Sequence, residues 1–212
     1  MSKSLTDYSV RCVSGSDLAS KDVEAMIRLH KAAFPGFFLT SLGSPFLRLL
    51  YGGFVNTDSG ICVVAENGEG LIGFAAGTTD PDSFFRTLLR KKGASFALAV
   101  IPGLLHNPVF VVRKCVGALF YRGEKPKGIP RAGLLSSLAV SPDASGKGVG
   151  QNLVKTFCNE LSRRGVEAVY LTTDASDNDP VNRFYAKCGF HLVDAFERPG
   201  NRRMNKWARM LG

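Results

Sequence analysis

The order of local signals along the chain predicts an α/β fold, and three observations carry that expectation. Two apolar runs, 60–66 and 71–78, flank the polar turn Asn67-Gly-Glu-Gly70 and read as a β-hairpin. An apolar strand, a glycine-punctuated turn and a helix start then follow one another between Leu138 and Leu153. From there to the C-terminus strand and helix signals alternate, so the elements are expected to share one domain spanning 1–212.

Residues 8–13 read as a short first strand, with Ser16 or Asp17 as the cap of the helix that follows. Val23, Met26, Ile27 and His30 recur at helical spacing, and so do Phe46, Leu47, Leu50 and Phe54 after Ser44-Pro45, giving two early helices before the hairpin. Residues 81–131 form a helical insertion that is basic and apolar at once. Phe84, Phe85, Leu88 and Leu89 alternate with Arg86, Arg90, Lys91 and Lys92, and the apolar run after Ser95 is too short to span a bilayer and contains Pro102. Helices broken near Pro102 and again near Pro108 are expected there. Strands over 134–140, 167–173, 190–196 and 204–210 and helices over 151–164 and 180–187 complete the order. Leu153, Val154, Phe157 and Leu161 line one face of the first of these helices, while Lys155, Arg163 and Arg164 point elsewhere, so it packs on the sheet with its N-terminus free.

Composition narrows the function classes. With 212 residues, 45% apolar and 21% charged, the chain can bury a large core, as a globular protein does and a disordered chain does not. Its net charge of +9 suits an anionic ligand, but no zinc spacing, RNA-binding signature or aromatic–basic repeat accompanies it, so no nucleic-acid partner is expected. The five cysteines are odd in number and lack a metal-ligand spacing; they read as reduced, buried thiols, with no metal site. The N-terminal residues contain no apolar signal core, so the cytoplasm is the expected location.

The turn after Val140 has the makings of a phosphate cradle. Gly146, Gly148 and Gly150 lack a Cβ, so the backbone can take unusual dihedrals and approach an anion closely, with the amides of Lys147 and Val149 converging alongside. The following helix adds unpaired N–H groups and a positive dipole end. The same spacing also suits a tight turn without a ligand. A dinucleotide Gly-x-Gly-x-x-Gly run is absent, and so is a P-loop ending, since Lys147 is followed by Gly148.

A second segment, Asn178-Asp-Pro-Val-Asn-Arg-Phe-Tyr-Ala-Lys-Cys-Gly-Phe190, adds weight. Together the two resemble the GNAT superfamily of acetyl-CoA-dependent N-acetyltransferases, through Leu138, Val140 and Pro142 of the strand, Ser145 to Gly150 of the loop, and Asn178, Phe184, Tyr185, Gly189 and Phe190 of the later helix. The resemblance is close over 134–195; before that only the order of elements agrees. It implies a mixed, mainly antiparallel sheet flanked by helices and splayed at the strand carrying Val140, with the insertion between strands 3 and 4. It also implies acetyl-CoA as cosubstrate, no metal, and direct attack of a neutral amine on the thioester.

In that reading Tyr185 protonates the leaving thiolate, although a half-buried helix Tyr packing the channel fits the same position. The pyrophosphate takes Ser145, Gly146, Lys147, Gly148, Val149 and Gly150, and the strand residues Leu138, Ala139 and Val140 lie along the cofactor, with a main-chain amide near Leu138 or Ala139 facing the developing oxyanion. Asn178 binds the pantetheine arm or caps the helix, and Asn182 is a second candidate for the arm. Two positions depart from the family pattern. Ser145 stands where Arg or Gln usually opens the loop, and the strand offers Ser136 and Ser137 where relatives often place a base. Water, the acceptor's own free-amine fraction, His30 or Glu66 would have to serve.

The acceptor is expected to be a small-molecule amine, with a protein amine second and a non-catalytic acyl-CoA binder as the competing class. Residues 30–44 fill the place where relatives line the acceptor groove, and Phe34, Phe37 and Phe38 either wall that groove or fill the core, core filling being preferred. The insertion is read first as a lid beside the acceptor and second as an interfacial contact with an anionic membrane. A homodimer stays open.

Overall fold

A computed structural model describes residues 7–14, 20–106, 131–198 and 202–212. The elements run β1 (Ser9–Val13), α1 (Ser20–Ala33), α2 (Phe38–Ser41), α3 (Gly43–Asn56), β2 (Gly60–Asn67), β3 (Gly70–Thr78), α4 (Pro81–His106), β4 (Ala132–Val140), a 3₁₀ turn (Pro142–Ala144), α5 (Val149–Arg163), β5 (Ala168–Asp174), α6 (Asp179–Lys187), β6 (His191–Arg198) and β7 (Arg202–Met210). The seven strands form one sheet in the order β1-β2-β3-β4-β5-β7-β6. Every neighbouring pair is antiparallel except β4 and β5. The mixed, mainly antiparallel sheet implied by the resemblance is therefore what the chain forms.

Strand alternation sends successive side chains to opposite faces and so builds two cores. Ile61, Val63 and Ala65 of β2, Ala75 of β3 and Leu135 of β4 meet Leu153, Val154, Phe157 and Leu161 of α5. Cys62 and Val64, with Phe74, Ala76 and Ala139, meet Met26 and Ile27 of α1, Leu47, Leu50, Tyr51 and Phe54 of α3, and Phe84 and Leu88 of α4. Each fully buried Leu or Phe in these layers contributes about 2–3 kcal/mol.

The feature that positions the site is where β4 and β5 part. They pair only through Ala132–Leu134 against Ala168–Tyr170, after which β5 stays with β7 and β4 stays with β3. A bulge contributes to the divergence: Ala76 pairs with Ser137 and Gly77 with Leu135, so Ser136 has no opposite residue. The backbones crowd at this point. A Cβ on Gly77 would lie 1.9 Å from the Leu134 carbonyl oxygen, which restricts the position to glycine.

Several expectations need correction. The helix after the turn starts at Val149, two residues earlier than its apolar stripe indicates, because the left-handed Gly148 caps it. Strands β4 and β7 each start two residues early: Ala132 and Gly133 are too small, and Arg202 and Arg203 too polar, to extend an apolar pattern. Helix α4 continues through Pro102 and is kinked instead at Lys92 (φ −133°, ψ 18°). Proline deprives the Leu98 carbonyl of its helical donor, but Leu98 is 67% exposed, so water can replace it. The Ser16 or Asp17 cap and the break at Pro108 fall outside the described residues.

One ion-pair group locks α5 to the hairpin. Glu160 accepts from Arg163 at 2.8 Å and Arg164 at 2.6 Å, and Arg164 also donates to the carbonyls of Asp58 (2.8 Å) and Gly60 (2.9 Å). The two guanidiniums, Arg163 first, hold the Glu160 carboxyl down at about 2 against partial burial. Because the folded value is depressed, this stabilisation is complete above about pH 4.5 and is lost as pH falls towards 2. Glu160→Gln is expected to cost about 1–3 kcal/mol at pH 7 and to flatten the acid limb of stability; urea melts across pH that stay parallel to wild type would contradict this.

Candidate active site

The open side of β4 presents backbone to the gap. Ser141 N donates to the Ile72 carbonyl of β3 at 2.7 Å. By strand alternation the Ala139 amide turns the same way, while the amides of Leu138 and Val140 turn to the side that β5 has left. Leu138 is thus the better placed of the two amides considered for the oxyanion.

The turn that follows holds a row of unused donors. Ala144 N donates to Ser141 O and Ser145 N to Pro142 O, and the next backbone bond runs from Asn152 N to Gly148 O. Among the described residues, the amides of Gly146 through Gln151 take no backbone partner, and they lie at the N-terminus of a fifteen-residue helix. Gly146 (φ +75°) and Gly148 (φ +78°) adopt the left-handed conformation, with open space or only the Tyr8 hydroxyl where a Cβ would go. These are the features that a pyrophosphate requires, so the residues present fit acetyl-CoA.

One other loop residue behaves differently from the sequence reading. Gly150 is not left-handed; a Cβ there would meet the Phe184 ring at 3.2 Å, so its small size lets α6 pack onto the start of α5. Lys147 Nζ turns back to the Asp143 carbonyl at 2.8 Å, which leaves the loop's anion binding to amides. Ser145 is exposed and its amide is already engaged by Pro142.

Tyr185 projects from α6 into the layer between Phe184 and Phe190, with ring centroids 5.1 and 5.7 Å away. The residue is 8% exposed, and among the described residues its hydroxyl takes no hydrogen bond. Burial raises its pKa, so the phenol keeps its proton and remains a donor across the physiological range. Asn182 bonds within the protein through both ends of its amide: its Oδ1 accepts from Thr173 Oγ1 at 2.6 Å, its Nδ2 donates to the Asp174 carbonyl at 3.2 Å, and Trp207 Nε1 donates to Thr173 Oγ1 at 2.9 Å. It fastens α6 to the end of β5. Asn178 occupies the helix N-cap position without a side-chain cap bond and directs Nδ2 to Asp174 O at 3.4 Å.

The opposite wall comes from α1, α3 and β7. His30 Nδ1 lies 2.5 Å from the Tyr51 hydroxyl, which also bonds the Ser137 side chain at the β4 bulge. His30 is 3% exposed, and desolvation pulls its pKa down to about 4, so it is neutral at pH 7. Its ring packs against Phe34, Phe34 against Phe37, and Phe37 beneath the Arg202 guanidinium at 5.0 Å. Arg202 in turn makes a bidentate pair with Asp174. A continuous chain of contacts therefore runs from Ser137 of β4 to Asp174 of β5, around the side of the gap opposite α5. Phe37, expected as core, is 40% exposed because it serves this chain instead. Glu66 is held by Arg11 at 3.1 Å on the far side of β3 and takes no part.

Tyr51→Phe removes the hydroxyl shared by His30 and Ser137 and leaves two buried polar groups unpartnered. A loss of about 1–3 kcal/mol is expected in denaturant unfolding. An unchanged midpoint would show that the chain of bonds carries no stability.

The model of the acetyltransferase (GNAT) family matches residues 23–190. This chain belongs to the GNAT acetyltransferase family. Over 68 residues it is 38% identical to a mycothiol acetyltransferase of Arthrobacter sp. (strain FB24), a match that covers 32% of this chain and about a fifth (21%) of that relative. Among solved structures, the GNAT chain superposes on the ribosomal-protein-S18-alanine N-acetyltransferase of Escherichia coli with TM-score 0.57 at 14% identity, covering 97% of this chain and 95% of that one. It also superposes, with TM-score 0.50 at 13% identity over 76% of this chain and 68% of the other, on a Bacillus anthracis structure described as a streptothricin acetyltransferase, in complex with acetyl-coenzyme A. At these identities the likeness concerns the fold. Among the described residues no group of side chains suits a metal ion.

Proposed function

We propose that this GNAT chain transfers an acetyl group from acetyl-CoA to the primary amine of a small molecule by direct attack in a ternary complex. The observation that carries the reading is the gap between β4 and β5, with amides at one end that take no backbone partner among the described residues. Acetyl-CoA supplies an activated acyl carbon. The amides of Gly146–Gln151 would hold the pyrophosphate, the β5-facing amides of Leu138 and Val140 would align the thioester and receive the developing oxyanion charge, and Tyr185 would give its proton to the departing sulfur. Asn178 keeps its Oδ1 for the pantetheine arm, while Asn182 acts through β5.

Magnitudes decide the base. An acceptor ammonium has a pKa of about 8–10, so drawing the free amine from solution at pH 7 costs about 1–4 kcal/mol. Passing the same proton to His30, held at about 4, would cost about 5–8 kcal/mol. The free-amine fraction is the cheaper source, and His30 serves as a buried hydrogen-bonding partner of Tyr51. Taking the acceptor to enter where Phe37, just before α2, meets Arg202 of β7, we read that contact as leaving room for a small amine rather than a polypeptide.

The test is a thiol-release screen with small amines, amino sugars and N-terminal peptides. Acetylation of small amines, with kcat/KM rising with unit slope up to the acceptor pKa, is expected. Turnover of peptides alone would overturn the acceptor class, and a plateau beginning near pH 6–7 would reveal an enzymic base.

A further inference from the structure

Helix α4 packs on α3 through the ring pairs Phe54–Phe84 and Phe46–Phe96. Its buried stripe, Phe84, Leu88, Phe96 and Ala99, packs in the core layer built by α3, and its other side faces outward. Of the nine large apolar side chains that the described surface exposes, four lie on this one helix: Phe85 (36%), Leu89 (51%), Leu98 and Ile101 (45%). That concentration is more than a surface needs, since scattered exposed apolar residues are ordinary and clustered ones are not.

The same side carries Arg86, Arg90, Lys91 and Lys92, all exposed, and none of them is in an ion pair among the described residues. After Asp82 the helix contains no acidic residue. Past the kink at Lys92 the outward residues Ala94, Ala97, Leu98 and Ile101 are apolar, with Ser95 a polar exposed side chain among them. A helix with an anchored inner stripe and an outer side mixing large apolar groups with unneutralised cations matches an anionic lipid surface in both features. Lipid headgroups of negative charge attract the cations, and the acyl boundary accepts Leu and Phe. No helix among the described residues is long and apolar enough to cross a membrane, so the contact is peripheral.

We infer that the outward side of α4 docks the protein on an anionic lipid surface. The site between β4 and β5 and the helix do not overlap, so this stands apart from the acetyl-transfer reading. Co-sedimentation with phosphatidylcholine vesicles, with and without phosphatidylserine, tests it. Wild type is expected to sediment with the anionic vesicles at low salt, and binding should fall as salt rises. Leu98→Glu with Ile101→Glu should remove binding, with the melting temperature unchanged because both side chains are exposed. Arg90→Gln with Lys91→Gln should weaken partitioning about tenfold or more, at roughly 1 kcal/mol per cation. Lys155→Gln with Lys187→Gln, a matched pair on other helices, should leave it close to wild type. Failure of wild type to bind anionic vesicles at low salt overturns the proposal, including the case in which the Glu variants break a dimer, which would make this face an interface between copies. Equal loss in the two Gln pairs also overturns it, by reducing the effect to net charge.

Discussion

Tyr185→Phe is expected to lower kcat about a hundredfold while the dissociation constant for acetyl-CoA changes less than about threefold. The side chain is buried between Phe184 and Phe190 and its hydroxyl has no hydrogen-bond partner among the described residues, so phenylalanine keeps the packing and removes only the donor. The loss should sit at the low end of general-acid effects, because a thiolate is a good leaving group with a pKa of about 8.5. Burial raises the phenol's pKa, so wild-type activity should not decline with pH through deprotonation of this residue below the ordinary tyrosine range. Steady-state kinetics with calorimetric cofactor binding measures both quantities. If kcat is unchanged, Tyr185 only packs the channel; if the wild type binds acetyl-CoA and acetylates nothing, the chain is a binder.

Gly148→Val is expected to weaken acetyl-CoA binding about a hundredfold. The residue sits at φ +78° as the cap of α5, and a β-branched side chain in that region costs on the order of 1–3 kcal/mol, so the turn will relax and scatter its amides. Gly165 supplies the control. It has φ +73° with open space around it, at the other end of α5, so Gly165→Val carries the same backbone penalty without touching the cradle. The two variants should melt at similar temperatures and differ in cofactor affinity. Equal affinities would mean that the amides of 146–151 are not the anion site.

The parts of this architecture that were legible in sequence are those in which local geometry fixes residue type. Left-handed positions select Gly146 and Gly148, and the stripe Leu153, Val154, Phe157 and Leu161 announces which face of α5 is buried. Family and fold followed from these local patterns. What sequence could not supply depended on contacts between distant residues. Gly150 looks like a third cradle glycine, and only the Phe184 ring reveals its packing role. The turn pattern puts the Lys147 amide in the cradle but does not place its ammonium, which finds a carbonyl four residues back. The His30–Tyr51 bond joins residues 21 apart on different helices, and the bulge at Ser136 exists only in the register of β3 against β4. Phe37 was assigned to the core by hydrophobicity alone; a signal was present in the arginines at the start of β7, but nothing local links the two.

The central claim is that the parting of β4 and β5, closed at one end by unpaired amides, is an acetyl-CoA site used for transfer. Calorimetric titration of the purified protein with acetyl-CoA and with CoA addresses it most directly. Micromolar binding of both, lost in Gly148→Val and kept in Gly165→Val, is the predicted result. Absence of binding at millimolar ligand by folded wild-type protein would contradict the account.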